Sequence, residues 1–518
     1  MLDIQAAQID STGTPLNSTI NSIMIHCAGA PIRTCAVSGS GNPSDPYLVN
    51  NDLCLQEMRT GLSCSYALSN DIDASAVSAL PGGWEPIPNT SDTNIRFTGT
   101  LDGQGHTISN LLTTPRTTNG SGFFSRIYDE GNGLVNDQVF DLTFNNSSAN
   151  QFTIFGDNPF GFLAGVTNLV GVRNVRVLNS DIDLSANSTR GQTALLVGEA
   201  TDSRFTNSET SGSIFLNGSL DEVNTKYGSI AGFAGDLIGS EVSNSLSNVT
   251  ITTAPGNLLY FSNIGGAFGT IANSSVSQFR TLSNISLLHT GVNAFGSGGI
   301  GGVGGFAGVT SDSSTFTDIC VNQNMDLRTV NSNIGDSAGF VGRMSFVTGF
   351  ETNQRVSLRG SLNIDANGNN VNQVAGYIGR DFGPGLHENI FMDSDISIPS
   401  GVSPVAFAGY GGLISSNGGG SSFSNIVAVS SHAIGAGIND PGGVFHNISG
   451  SPISSIYYAN DVALGGLPAE GVGGGGSIVS NSLVNLGALP NGSYTGFDFA
   501  TVWQRDGVTN LPELRFCP

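Results

Sequence analysis

Positive charge is what this chain most lacks. Its 518 residues hold 18 Lys and Arg against 40 Asp and Glu, a net charge of −22, and the single lysine is Lys226. Nucleic acid and anionic lipid both need a basic face to displace counterions, so neither is expected as a main partner. The acids read as keeping a long polar surface in solution. Charged residues of both signs make up only 11% of the chain while 38% is apolar, a balance that argues against disorder. No run of 18 apolar residues occurs, so no membrane-spanning helix is expected. The start, Met1-Leu-Asp-Ile-Gln, lacks the basic and apolar regions of a signal peptide, so an exported form is expected to have lost its targeting segment or to carry it elsewhere.

Cysteine is also scarce, at six residues. Cys27, Cys35, Cys54 and Cys64 lie near the N-terminus and are expected to form two disulfides in an oxidising compartment, with the pairing open. No Cys-x-x-Cys pair marks a zinc site.

Glycine, by contrast, is abundant at 72 residues, and it recurs with a period. A Gly-aromatic-small-Gly signature appears as Gly161-Phe-Leu-Ala-Gly165, Gly232-Phe-Ala-Gly235, Gly305-Phe-Ala-Gly308, Gly339-Phe-Val-Gly342 and Gly376-Tyr-Ile-Gly379. Looser copies end at Gly198, Gly269 and Gly409, and the closing glycines fall 30–39 residues apart. Such a period means one unit stacked on itself. A polar landmark follows six of these glycines by 9 or 10 residues, at Asn174, Asn207, Asn244, Gln278, Asp318 and Asn389, with further copies at Asn425 and Ser455 and earlier ones at Asn110 and Asp141. An apolar landmark stands 7 residues beyond it, at Ile214, Ile251, Ile285, Met325 and Ile396. Three short, phase-locked apolar segments rich in β-branched residues predict a strand–turn–strand–turn–strand coil. Stacked coils make an all-β fold, a parallel β-solenoid of about ten or more coils at ~4.8 Å spacing. The recurring polar residue is expected at a corner, in a ladder of side-chain hydrogen bonds. The segments Leu288–Gly304 and Gly409–Ser422 are expected as loops outside the rod.

The N-terminal blocks Asp45-Pro-Tyr-Leu-Val49, Leu53–Met58, Tyr66–Asp73, Gly83-Trp-Glu-Pro-Ile87 and Phe97–Leu111 come in an order that resembles GLUG-repeat proteins, which occur in bacterial surface adhesins and beside some IgA-protease-type enzymes. The Gly-Phe-Ala-Gly units resemble the repeat itself, and Phe497–Trp503 with Leu511–Arg515 resembles its closing segment. The resemblance covers roughly 39–515 and implies a right-handed β-helix at or outside a bacterial cell surface. It divides the chain into an N-terminal extension for assembly or capping (1–38), an N-terminal cap with the first coils (39–113), solenoid repeats (114–490) and a closing segment (491–518). Leu53–Met58 and Phe497–Trp503 are expected to cap the two ends, because an open strand edge invites aggregation. No His-Glu-x-x-His motif supports a protease.

Candidate chemistry is thin. Asp71/Asp73, Asp181/Asp183 and Asp393/Asp395 are Asp-x-Asp pairs on predicted strands, spaced to suit calcium or acid–base work. The ordinary reading is an outward Asp beside an inward Ile. Asp181 and Asp183, with Arg173 and Arg176 nearby, form the grouping nearest to a metal or lyase site, and calcium is the one cofactor it suggests. His106 reads as a turn residue, and His387, His432 and His446 stand in no ligand spacing. Cys320 is expected as a buried thiol several coils from Cys517, too far for a disulfide. Cys517 is then free to bond another copy head to tail. The function expected is a non-enzymatic exported rod, an adhesin passenger, stalk or fibre subunit, with surface glycans or further copies as partners. The alternative is a polysaccharide-active β-helix enzyme or tailspike-like depolymerase.

Overall fold

A computed structural model describes residues 38–517 except 80–82, 114–119, 130–135, 153–157, 186–190, 218–227, 255–262, 290–298, 301, 331–332, 346–348, 368–372, 400–408, 412–413, 418–420, 430–431, 435–452, 460–477, 482 and 495. The chain is a β-solenoid of stacked parallel coils, as the repeat predicts. Each central coil places a short strand, a five-residue strand and a long bent strand in turn, for example Ser229–Ala231, Ala234–Ile238 and Glu241–Thr253. These stack into three walls: a seven-stranded short wall, a nine-stranded second wall, and a 19-stranded long wall that runs further at both ends. The nine strands of the second wall, one per coil from Phe124 to Asn417, stand close to the expected coil count.

The closing glycines form one column on the second wall, Gly165 beside Gly198, Gly235, Gly269, Gly308, Gly342 and Gly379. A Cβ at Gly198 would stand 2.5 Å from the Phe160 amide nitrogen, and one at Gly308 2.6 Å from that of Ile264. The glycine therefore lets the second wall approach backbone of the neighbouring short wall, and no side chain fits there. The signature's aromatic residue fills the core, where Phe306, Phe340 and Tyr377 stack at 5.0 and 5.1 Å. The expected copy ending at Gly409 is a misalignment. Ile414 pairs with Ile378, which puts Ser415 beside Gly379, and Gly409–Gly411 and Ile414–Asn417 are wall strands inside the span expected as an outer loop. The apolar frame of Ile414 outweighs the missing closing glycine. In Leu288–Gly304, residues 290–298 lie outside those described, while Val303–Gly304 is a wall strand.

The polar landmark is the bend of the long wall. Asp141, Asn174, Asn207, Asn244, Gln278, Asp318, Arg355, Asn389, Asn425 and Ser455 all adopt left-handed backbone, with φ of 47–58°. Asn and Asp tolerate this region because their short polar side chains bond locally. Side chains link successive coils: Asn174 Nδ2 donates to Asp141 Oδ1 at 2.8 Å, and Asn244 Nδ2 to Asn207 Oδ1 at 2.6 Å. Arg355, which interrupts the pattern, reaches Asp318 at 2.6 and 2.9 Å, so an ion pair replaces the amide rung. Asn110 belongs to a different ladder, with Asn146 in register and hydrogen-bonded at 2.6 Å. The apolar landmark Ile214, Ile251, Ile285 and Met325 stacks in a fully buried column.

At the N-terminal end the expected helix forms at Asp52–Glu57, capped by the Asn51 side chain on the Cys54 amide, with Leu55 and Met58 in the main core. The C-terminal segment does not cap an end. It folds back along the outside of the long wall, where Trp503, Phe497, Leu511 and Leu514 form a second core with Phe391, Val427 and Tyr457. Those three wall residues and Cys320 face outward in one column over five coils, about 19 Å at ~4.8 Å per coil.

The corner predicts a mutational signature. Asn244→Val forces a β-branched residue into left-handed backbone and removes a hydrogen bond, which should cost about 2–3 kcal/mol in denaturant unfolding. Asn244→Gly keeps the backbone free and should cost about half as much.

Candidate functional site

The Asp-x-Asp pairs are dispersed along the rod, and Asp71, Asp73 and Asp181 already hold hydrogen bonds, while Asp183 Oδ1 is buried without one. Asp71 accepts from the Thr107 amide at 2.9 Å and faces His106 Nδ1 at 3.2 Å, contacts that hold its carboxyl below the usual range. Asp73 accepts from Asn110 and the Ser75 amide, with the same effect. His106 itself closes a turn through its amide to Gly103 O, as expected of a turn residue. Asp181 is exposed and takes the Ser213 hydroxyl at 2.7 Å, while Ile182 between it and Asp183 is buried. Burial, and then the neighbouring Asp395, push Asp393 up.

The expected grouping of arginines with Asp181 and Asp183 does not form. Arg173 binds Asp137 at 3.0 Å and Asp141 at 3.1 Å, and Arg176 stands 3.7 Å from Glu209. Register explains this, since parallel stacking sets each arginine beside residues one coil away and not beside its sequence neighbours. Among the described residues, no three His, Cys, Asp or Glu side chains come together to hold a metal.

Two other polar clusters do form. The first lies inside the rod, where Glu351, Asn353, Asp381 and His387 are all completely buried. Thr310 Oγ1 donates to Glu351 at 2.8 Å and Ser421 Oγ to Asp381 at 2.7 Å. Asn353 Nδ2 reaches both Glu351 Oε1 and His387 Nδ1, and the imidazole stacks on Phe423 at 4.7 Å. Burial pushes Glu351 up to about 8 and Asp381 to about 6, and pushes His387 down to about 3. At neutral pH the node is therefore mostly uncharged at Glu351 and His387, and it is closed to solvent. It serves packing. Nothing in the sequence set His387 apart from His432 and His446, because the node joins four successive coils.

The second cluster lies at the surface where short and second walls meet. Glu199 and Asp236 are register partners on adjacent coils, with Gln192 Nε2 donating to Asp236 at 2.9 Å. Both carboxyls are raised by burial, and repulsion from Asp236 adds to the shift of Glu199, against attraction from Arg126.

The cysteines overturn two expectations. Cys320 and Cys517 form an intrachain disulfide with Cα atoms 5.7 Å apart, so Cys320 is not a free thiol and Cys517 is not available to another copy. The reason is the path of the closing segment, which runs back down the flank instead of ending beyond the last coil. Cys54 and Cys64 are also disulfide-bonded, and Cys27 and Cys35 lie outside the described residues. Arg359 pins the flank segment through Asp506 at 2.9 Å and Glu513 at 3.4 Å. Where the segment ends, a cavity of about 150 Å³ opens beside the disulfide, floored by Arg280, Leu282, Asn322 and Ser357.

The fold places the chain among β-solenoids, and comparison with known proteins adds little chemistry to that class. No protein-family model matches it. A stretch of 142 residues is 36% identical to halomucin of Haloquadratum walsbyi, covering 26% of this chain and 1% of that protein. An IgA1 protease structure aligns with a TM-score of 0.36 and 17% identity over 59% of this chain and 21% of its own. A Bacteroides ovatus structure assigned as an immunoglobulin A1 protease aligns with a TM-score of 0.32 and 14% identity over 93% and 95% of the two chains. Structural likeness this distant carries no argument about activity.

Two outcomes are expected. Glu351 has its folded pKa above the unfolded value of 4.5, so its stabilisation is complete below pH 4.5 and lost as pH rises through about 8. His387 has its folded pKa below 6.5, so its contribution is complete above 6.5 and lost as pH falls through about 3. Asp381, also raised, has finished titrating near 6, leaving Glu351 to dominate at higher pH. Stability should therefore fall between pH 6.5 and 8 by on the order of 2 kcal/mol, and Glu351→Gln should flatten that slope in thermal melts. Separately, Cys517→Ser should leave the size on non-reducing gels unchanged while limited proteolysis of 483–517 speeds up about tenfold or more, the effect of losing only ~1.4 kcal/mol of docking.

Proposed function

We propose that this chain is a non-enzymatic, exported structural or adhesive rod, a stalk, adhesin passenger or fibre subunit that meets glycans at a cell surface. The observation that carries the reading is where the coils vary. The wall strands keep register from coil to coil, while the number of residues between a long-wall strand and the next short-wall strand varies, 7 between Ser185 and Thr193, 11 between Asn217 and Ser229 and 9 between Thr253 and Asn263. A rigid scaffold that varies along one edge is built for display. The disulfides suit an oxidising exterior, and the stretch shared with halomucin supports a surface setting. The kinship with GLUG-repeat proteins belongs to the same proposal, resting on the Gly-Phe-Ala-Gly column. Partners by this reading are surface glycans. Head-to-tail bonding through Cys517 is excluded from it.

The enzymatic reading has one observation in its favour, the pair Glu199 and Asp236. Register partners stand ~4.8 Å apart, near the ~5 Å separation of retaining glycosidase carboxylates, and both carboxyls are raised.

The two readings separate in a single assay. The purified chain incubated with a panel of immobilised and soluble polysaccharides should bind without releasing reducing ends. Turnover that disappears in Glu199→Gln would overturn the structural reading.

A further inference from the structure

We infer that the cavity at the end of the flank segment is a binding site for an acidic saccharide, with Arg280 holding the carboxylate. The inference rests on the glycan-binding reading and names the ligand class. Cationic side chains are few here, and among the described residues the fold uses nearly all of them. Arg173, Arg204, Arg328, Arg343, Arg355 and Arg380 pair with carboxylates, Arg59 with Glu85, Arg176 with Glu209 and Arg359 with the flank segment. Arg96 lies over the Tyr128 ring, Arg126 is drawn to Glu199, and Arg505 and Arg515 donate to backbone carbonyls. Among the described residues Arg280 alone has no hydrogen bond, ion pair or ring contact. It is half-buried, and it faces the cavity.

The floor of that cavity is a lattice set by strand register. Arg280, Cys320 and Ser357 occupy one outward column on three successive coils, and Leu282, Asn322 and Arg359 occupy the next. Neighbours in a column stand ~4.8 Å apart and the two columns ~6.5–7 Å apart, the scale of one sugar ring. Leu282 is 39% exposed, an apolar surface left open beside the disulfide. A pyranose laid on Leu282, at the edge of the buried disulfide, would bury its C–H face. Its hydroxyls would meet Asn322 and Ser357, and its carboxylate would meet Arg280 in a two-pronged ion pair. Glu513 and Cys517 form the closed end, so the flank segment completes the site. The Glu513 charge is met by Arg359 at 3.4 Å, which leaves Arg280 to the ligand.

The test uses the full-length oxidised chain, with trigalacturonate as probe and the uncharged galactose trisaccharide as control, read by calorimetry and saturation-transfer NMR. Trigalacturonate should bind at least about tenfold more tightly than the control, and Arg280→Gln should weaken it by about ten- to hundredfold. Arg176→Gln, on the same column three coils away and paired with Glu209, should leave binding unchanged. Glu513→Gln should strengthen binding a few-fold by removing a like charge. Equal affinity for the two sugars, no binding of either, or an Arg280→Gln variant that binds as the parent does would each overturn the inference. A parent-like Arg280→Gln that still binds other polysaccharides would leave the adhesive reading standing. Depolymerisation of trigalacturonate would overturn that reading while a tenfold loss in Arg280→Gln still supported the pocket.

Discussion

One residue in each coil must hold left-handed backbone for the long wall to turn its corner, and the rest of the rod is arranged around that bend. A strand that bends at a single residue keeps its hydrogen-bonding direction, so the sheet passes round the corner unbroken and the walls share one register. The cost of the conformation is met by polar side chains that bond to the equivalent residue one coil away, as Asn174 does to Asp141 and Asn244 to Asn207. Because each rung needs the rung beside it, a coil is stable only in a stack. The glycine column supports the same end from the other side. It brings short and second walls close enough that Phe306, Phe340 and Tyr377 fill the interior as a continuous aromatic stack.

The same register decides which polar residues meet. Parallel stacking sets a side chain about 5 Å from its counterparts in two neighbouring coils, which are over thirty residues away in sequence. Arg173 therefore finds Asp141 and Asp137, not the aspartates that follow it. Glu199 meets Asp236 for the same reason. Within the core the rule tolerates an exception: Glu351, Asp381 and His387 converge where an apolar filling was available, and burial keeps Glu351 protonated and His387 neutral at neutral pH. That node is closed to any ligand.

Much of the architecture was legible because a repeat reports on itself. The glycine, the polar corner and the apolar residue seven positions on each recur often enough that one poor copy is outvoted, and the structure stacks them in columns. Legibility failed where the repeat frays: the weak copy before Gly409 was misaligned, and the Arg355 corner was missed because its partner is an acid, not an amide. The flank segment was missed for a different reason. Its docking surface is written in the C-terminal coils, where Ile390-Phe391-Met392 and Ile426-Val427-Ala428 run three apolar residues together. The equivalent stretch two coils before the first of these, Ile319-Cys320-Val321, does the same, whereas Phe279-Arg280-Thr281 does not. A strand apolar on both faces is covered on both, and within the covered flank the pattern is interrupted only at Ser357, which lies between Cys320 and Phe391.

The place where that cover stops is the place where Arg280 meets the end of the flank segment. Along the outward columns of the long wall the residues change from coil to coil, as in Arg176, Glu209, Leu246, Arg280 and Cys320, and Arg176 meets its partner Glu209 one coil away. At the coil of Cys320 the flank segment ends, Leu282 leaves apolar surface open beside the buried disulfide, and the next coil brings Arg280, whose charge nothing else on the described chain engages. A strongly acidic protein repels anions at long range, so any anion it holds must be held by short, directed contacts in a site that also buries apolar surface. Arg280 beside the disulfide meets that condition, and it depends on the flank segment staying docked. The covalent bond between Cys320 and Cys517 thus links the stability of the C-terminal coils to the surface that presents Arg280.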